Sequence, residues 1–167
     1  MRNFVIFLAI CAGAFYFYYF KTHQKTEPIA DPVYGEVLTN ITFKDRSLDI
    51  AFFLEAADEK DCHAKEQALE EGFVKGLGPL CRKAGCKTDK QECKKELPPR
   101  YAKLFDKQPG LLTYVSFSRG DKDEQEMRLI FWGVTTDESD TLCDEISKDF
   151  AKATKWKGKI ECIRAAR

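Results

Sequence analysis

Six cysteines downstream of residue 60 set the hardest limit on how this chain can fold. Each bond they close fixes two distant points of the backbone within a few ångströms of each other. Four of them come at matched intervals: Cys62 to Cys81 and Cys143 to Cys162 span the same gap. The residues upstream match as well. An apolar run over residues 48–55 leads into Asp58-Glu59-Lys60-Asp61, and a second over 127–134 leads into Asp137-Glu138-Ser139-Asp140. The second copy carries two extra residues before its helix cysteine. Self-similarity at a fixed interval is the mark of a repeated structural unit, so a duplicated strand-strand-helix layout is expected.

The copies read as follows. Residues 36–43 and 48–54 form a hairpin, and residues 58–75 form a helix with acidic residues at its N-terminal end. Leu69, Phe73 and Leu77 make its apolar stripe, and Gly76-Leu77-Gly78-Pro79 stops it. Residues 111–118 and 126–134 give the clearest hairpin. Met127, Leu129 and Phe131 line one face, and Ile130, Trp132 and Val134 the other, so this strand is central or covered on both sides. Residues 137–154 form the second helix and 158–164 a last strand. The fold class is α+β: a largely antiparallel sheet with helices on one face, stapled by disulfides. A ferredoxin-like order is the alternative, reached by omitting the first strand. The domain divides into copy 1 (36–81), a cysteine-rich basic insertion (82–108) with a short helix started by Pro98-Pro99, and copy 2 (111–167).

The rise per residue of a helix and of a strand brings Cys143 and Cys162 to similar heights when the last strand runs back along the second helix. Equal spacing extends that pairing to Cys62–Cys81 and leaves Cys86–Cys93 inside the insertion. The rival is Cys62–Cys93 with Cys81–Cys86, since Cys62 and Cys93 lie symmetrically about the Gly76–Gly78 turn.

The N-terminus supplies an address. Residues 4–20 carry no charge, are closed by Lys21, His23 and Lys25, and hold Tyr16, Tyr18 and Tyr19 near one end. This predicts a transmembrane signal-anchor over residues 1–25, a linker over 26–35 with Pro28 and Pro32, and a domain over 36–167. A cleaved signal peptide with Ala12-Gly13-Ala14 as its site is the alternative, and makes the protein secreted. Lysine and arginine counts on the two sides nearly tie. The six cysteines decide for an extracytoplasmic domain, in a periplasm or a secretory lumen, because disulfides persist outside the reducing cytosol.

No catalytic set is legible. Histidine is nearly absent, and no nucleophile elbow, Walker loop or His-Glu-x-x-His is present. His63 follows Cys62 directly, but neighbours on a helix point about 100° apart, which is no geometry for a nucleophile and its base. Cys62, His63, Cys81, Cys86 and Cys93 offer enough donors for a zinc site without the paired Cys-x2-Cys spacing. No cofactor is expected. Arg82, Lys83, Lys87, Lys90, Lys94, Lys95, Arg100 and Lys103 make the insertion basic and a candidate surface for a protein partner. Formal net charge is zero and the aromatics are not interleaved with these cations, which argues against nucleic acid. Arg119-Gly120-Asp121 is most simply a charged turn. Asp121, Asp123, Glu124 and Glu126 lack a calcium-loop spacing. The resulting expectation is a non-catalytic, membrane-anchored binding module of inhibitor, immunity or assembly type. A cysteine- or zinc-dependent module is the alternative.

Overall fold

Strict alternation builds the first hairpin. The computed structural model describes residues 27–43, 46–76, 85–121, 124–153 and 156–166. In it, strand β1 (Val33–Phe43) buries Val33, Val37, Thr39 and Ile41 on one face. Strand β2 (Arg46–Ala56) returns along it in unbroken antiparallel register, from Phe43 opposite Arg46 to Val33 opposite Ala56. Helix α1 (Glu59–Gly76) follows at once. Asp58 caps it by accepting the Asp61 N–H at 2.8 Å, and Asp61 reaches back to the Ala57 N–H at 2.9 Å. Strand β3 (Gly85–Lys94) then pairs antiparallel with the outer side of β1.

Helix α2 (Pro99–Phe105) begins on a proline, whose missing N–H costs nothing in a first turn. Strands β4 (Tyr114–Phe117) and β5 (Met127–Trp132) pair antiparallel. Helix α3 (Thr136–Ala153) starts with a capping box: Thr135 Oγ1 accepts the Glu138 N–H, and Glu138 accepts the Thr135 N–H at 2.8 Å. Strand β6 (Ile160–Ile163) closes the set by pairing with β4. The result is one six-stranded antiparallel sheet in the order β3-β1-β2-β5-β4-β6.

The seam β2–β5 lies at the centre, and both its strands are apolar on both faces, as a strand covered on both sides must be. On one face Phe52, Leu54, Met127, Leu129 and Phe131 pack under α1 and α3, with Leu69, Leu142, Ile146 and Phe150 laid against them. On the other face Ala51, Phe53, Tyr114 and Ile130 pack under Leu97 and Leu104, with Tyr101 and Phe105 alongside. The expectation of helices on one face is therefore corrected: α2 covers the opposite one. It is held there by Arg128, whose fully buried guanidinium donates to Leu104 O, Phe105 O, Phe117 O and Met127 O, and pairs with Glu126 at 2.6 Å. The ion pair and the carbonyl hydrogen bonds together offset the desolvation of the charge.

Residues 85–94, expected inside a self-stapled insertion, form the edge strand β3 instead. Its Lys, Asp, Glu and Gln side chains hid it, because an edge strand needs no apolar face outward and uses charge to repel other strands.

The anchor expected over residues 4–20 is also corrected. Among the described residues no helix is long and apolar enough to cross a membrane, and residues 4–20 themselves lie outside the described residues. Membrane attachment through that segment, the signal-anchor assignment and the membrane-anchored extracytoplasmic localisation are withdrawn with it.

Candidate metal centre at the first helix

Helix α1 turns three positions toward the sheet: Cys62, Glu66 and Leu69, one turn apart. Two of them are not apolar anchors. Cys62 is wholly buried and bonded to Cys93 near the end of β3, with 6.2 Å between the Cα atoms. Glu66 is 3% exposed. Its Oε2 lies 3.3 Å from Nδ1 of His63, and its Oε1 is buried with no hydrogen-bond partner among the described residues. A buried polar atom left unpaired is costly and rare, and its cost is the reason to ask what it waits for.

The neighbourhood supplies an answer in donor atoms. One ligand atom each from Cys62, Glu66 and Cys93 lie within 4.8 Å of one another. His63 adds a fourth: its Nδ1 sits 3.5 Å from Cys93 Sγ and 3.3 Å from Glu66 Oε2, while 61% of its side chain faces solvent. Helical geometry does separate His63 from Cys62, but the ring turns to the sulfur on β3 instead. Gly35 makes the close approach possible. It lies opposite Cys93 in the β1–β3 register, and a Cβ there would stand 3.2 Å from Cys62 Sγ and 2.9 Å from Leu54 Cδ1.

The opposite edge of the sheet carries a second staple. Cys143 on α3 is bonded to Cys162 on β6, as the helix and strand rises led one to expect. One turn beyond Cys143 stands Ser147, whose Oγ bonds the Cys143 carbonyl and approaches Cys162 Sγ at 3.2 Å. Opposite Cys162 in the register stands Val115, fully buried. The pairing Cys62–Cys81 inferred from equal spacing is corrected: β3 brings Cys93, not Cys81, to the helix. Cys86 on β3 is disulfide-bonded too, and Cys81 lies outside the described residues.

Three lysines of the basic surface are paired within it. Lys87 pairs with Asp89 at 2.8 Å, Lys90 with Glu36 at 2.9 Å and with Glu92 at 3.2 Å, and Lys94 with both of those glutamates. The hydrogen bond that Lys90 donates to Glu36 raises the pKa of Lys90, so the cation is well committed to its partners. Arg100 lies 4.5 Å over the Tyr101 ring, Lys103 is in the last turn of α2, Lys95 follows β3, and Arg82 and Lys83 are outside the described residues. The three lysines of β3 are thus paired with carboxylates of the same sheet edge, which reduces the charge they offer a partner. The expected main reading, a membrane-anchored protein-binding module, is corrected in its membrane anchoring, since no described helix is long and apolar enough to cross a membrane. The acidic turn is likewise used up: Glu124 accepts the Gly120 and Gly158 N–H groups and Glu126 the Arg119 N–H.

Glu66 was missed by sequence reading, although the signal was present. Cys62-x3-Glu66 puts a thiol and a carboxyl on one helix face. Comparison with family models, with curated proteins and with solved structures finds no match.

Proposed function

We propose that the protein is a metal-binding module whose ligands, in its dithiol state, are Cys62, Glu66 and Cys93. The observation that carries this reading is the Glu66 carboxyl group. It is buried one helical turn from Cys62, has an oxygen within 4.8 Å of both sulfurs, and keeps one oxygen unpartnered among the described residues. Two thiolates and a carboxylate suit a borderline-soft divalent ion such as zinc. The experiment is zinc uptake by the reduced full chain in competition with a chromogenic chelator. One ion per chain is expected, lost in Cys93→Ser and weakened in Glu66→Gln, but retained in Cys143→Ser. Equal uptake by all three variants would sink the reading.

The described disulfides favour an oxidising compartment for the closed state, in keeping with a secreted protein. We also infer that the domain is a tandem of two strand-strand-helix-strand units, Val33–Lys94 and Tyr114–Ile163. Supporting this, each unit pairs its last strand with its first, staples its helix to that edge strand, and meets the other along β2–β5. A ferredoxin-like order leaves no place beside β2 for another strand, and β1 occupies that place.

A further inference from the structure

We propose that the Cys62–Cys93 disulfide is the closed state of a redox gate, whose opening completes a four-ligand site for a zinc-class cation, with His63 joining the two thiolates and the Glu66 carboxylate. This rests on the metal-binding reading above and adds its regulation. The same two sulfurs cannot hold each other and a metal ion at once, so oxidation state and occupancy are mutually exclusive. Two of the donor spacings already suit such a site, and opening the disulfide lets Cys62 Sγ move toward the others. Ligand atoms placed tetrahedrally at about 2.0–2.3 Å from zinc lie about 3.3–3.8 Å apart, and His63 Nδ1 stands 3.3 and 3.5 Å from the Glu66 and Cys93 donors.

The gate has a direction. Cys62 is wholly buried, whereas Cys93 is partly exposed on an edge strand that, among the described residues, pairs only with β1. An incoming thiolate therefore attacks Cys93 Sγ, breaks the S–S bond and expels Cys62 as thiolate. A second thiolate resolves the mixed disulfide at Cys93 and leaves as the small-molecule disulfide. Two electrons have passed to the protein and two thiol equivalents are oxidised. The cation then binds the two thiolates, and any proton they carried goes to solvent. The return step uses a low-molecular-weight disulfide as oxidant. It is reduced by two electrons to two thiolates, Cys62 and Cys93 close, and the cation leaves.

Glu66 gives the gate its bias. With the disulfide closed, its Oε1 stays buried and unpaired; with a cation bound, that oxygen has a partner. The staple at the other edge has a hydroxyl at the corresponding helix position, already hydrogen-bonded, and so nothing to gain from a cation.

The test uses the full chain, reduced and loaded with zinc ion, then titrated with oxidised glutathione. Free zinc is read with a chromogenic chelator, and closed bonds by alkylation and peptide mass. One zinc is expected to appear per Cys62–Cys93 bond formed. His63→Ala is expected to weaken zinc binding tenfold or more, and Ser147→Ala to leave it unchanged. Absence of zinc uptake by the reduced chain would remove the metal-binding reading itself. Uptake followed by closure of Cys62–Cys93 without release would overturn the gate alone, and unchanged affinity in His63→Ala would overturn the fourth ligand.

Discussion

The two edges of the sheet are built alike and finished differently. At each edge a helix is tied by one disulfide to the outermost strand, β3 at one side and β6 at the other. Beside Cys143–Cys162, Val115 fills the space opposite Cys162 and Ser147 bonds its own helix carbonyl, while the unpartnered buried hydroxyl of Ser116 is a neutral group next along β4. Beside Cys62–Cys93 the space is cleared by Gly35, the hydroxyl is replaced by a buried carboxyl, and a histidine leans on the sulfur. A staple needed only for stability is served by the first arrangement. The second carries a desolvation cost that stability alone does not call for, and local departures of this kind concentrate where a site has other work.

The largest effects come from removing the staples. By the chain-entropy account, closing loops of separation 31 and 19 stabilises by roughly 3–4 kcal/mol each. Cys62→Ser/Cys93→Ser and Cys143→Ser/Cys162→Ser should therefore lose about as much as each other in denaturant titrations of oxidised protein. The difference appears under reductant: added zinc should restabilise the chain that keeps Cys62 and Cys93, and leave the chain lacking them unmoved. If zinc raises both midpoints equally, the two edges do not differ in function.

A smaller effect separates the neighbours by sign. In oxidised protein Glu66→Leu removes an unsatisfied buried oxygen and should stabilise by about 1–3 kcal/mol, whereas Ser147→Ala loses a hydrogen bond and should cost about 1 kcal/mol. Thermal unfolding of the two variants decides. Destabilisation by both would mean that Glu66 is as well housed as Ser147.

A related contrast, between a carboxyl held charged and one held toward its neutral form, recurs at the two ends of β2 and gives the smallest effect. At one end Glu138 is bonded by Arg46 at 2.9 Å and by the Thr135 N–H, which lowers its pKa from 4.5 to about 2. Its contribution is present above the unfolded value and is lost as pH falls through about 2. At the other end burial, then the nearby Glu126, raise the pKa of Glu55. Its folded form favours the proton, so its penalty is absent below the unfolded value and builds as pH rises through it. Glu55→Gln should thus raise the unfolding midpoint at about pH 7 and not at about pH 3, and Glu138→Gln should lower it at about pH 7 and not at about pH 2. Matching shifts at both pH values would mean that charge is not what distinguishes the two ends.

What the sequence made legible was the part governed by periodicity. The hairpins, both long helices and the doubly apolar strand at 127–132 follow from alternation and capping, which are local. Cys143–Cys162 was legible because both cysteines lie on elements with clear signals. Cys62–Cys93 was legible only as the rival pairing, from the symmetry of the two cysteines about the Gly76–Gly78 turn, because β3 has the composition of a solvated loop and its identity as a strand comes from β1, far upstream. Glu66 was hidden for a related reason. The stripe was traced from Leu69 toward Phe73, and a carboxyl in the line of an apolar stripe reads as the wrong face until a sheet lies against it. The N-terminal apolar run misled in the other direction, by assigning the whole chain an address from one segment.

The sheet's pairing pattern has a topological consequence. Among the described residues every inner strand has two neighbours, and each border strand has one neighbour and a disulfide to its helix, with Cys86 a second disulfide cysteine on β3. A metal ion held by Cys62 and Cys93 preserves the tether on β3 just as the sulfur–sulfur bond does. The empty dithiol does not. Of the three states open to that border, two bind β3 to helix α1, and the third leaves it to its pairing with β1 and to the Cys86 disulfide.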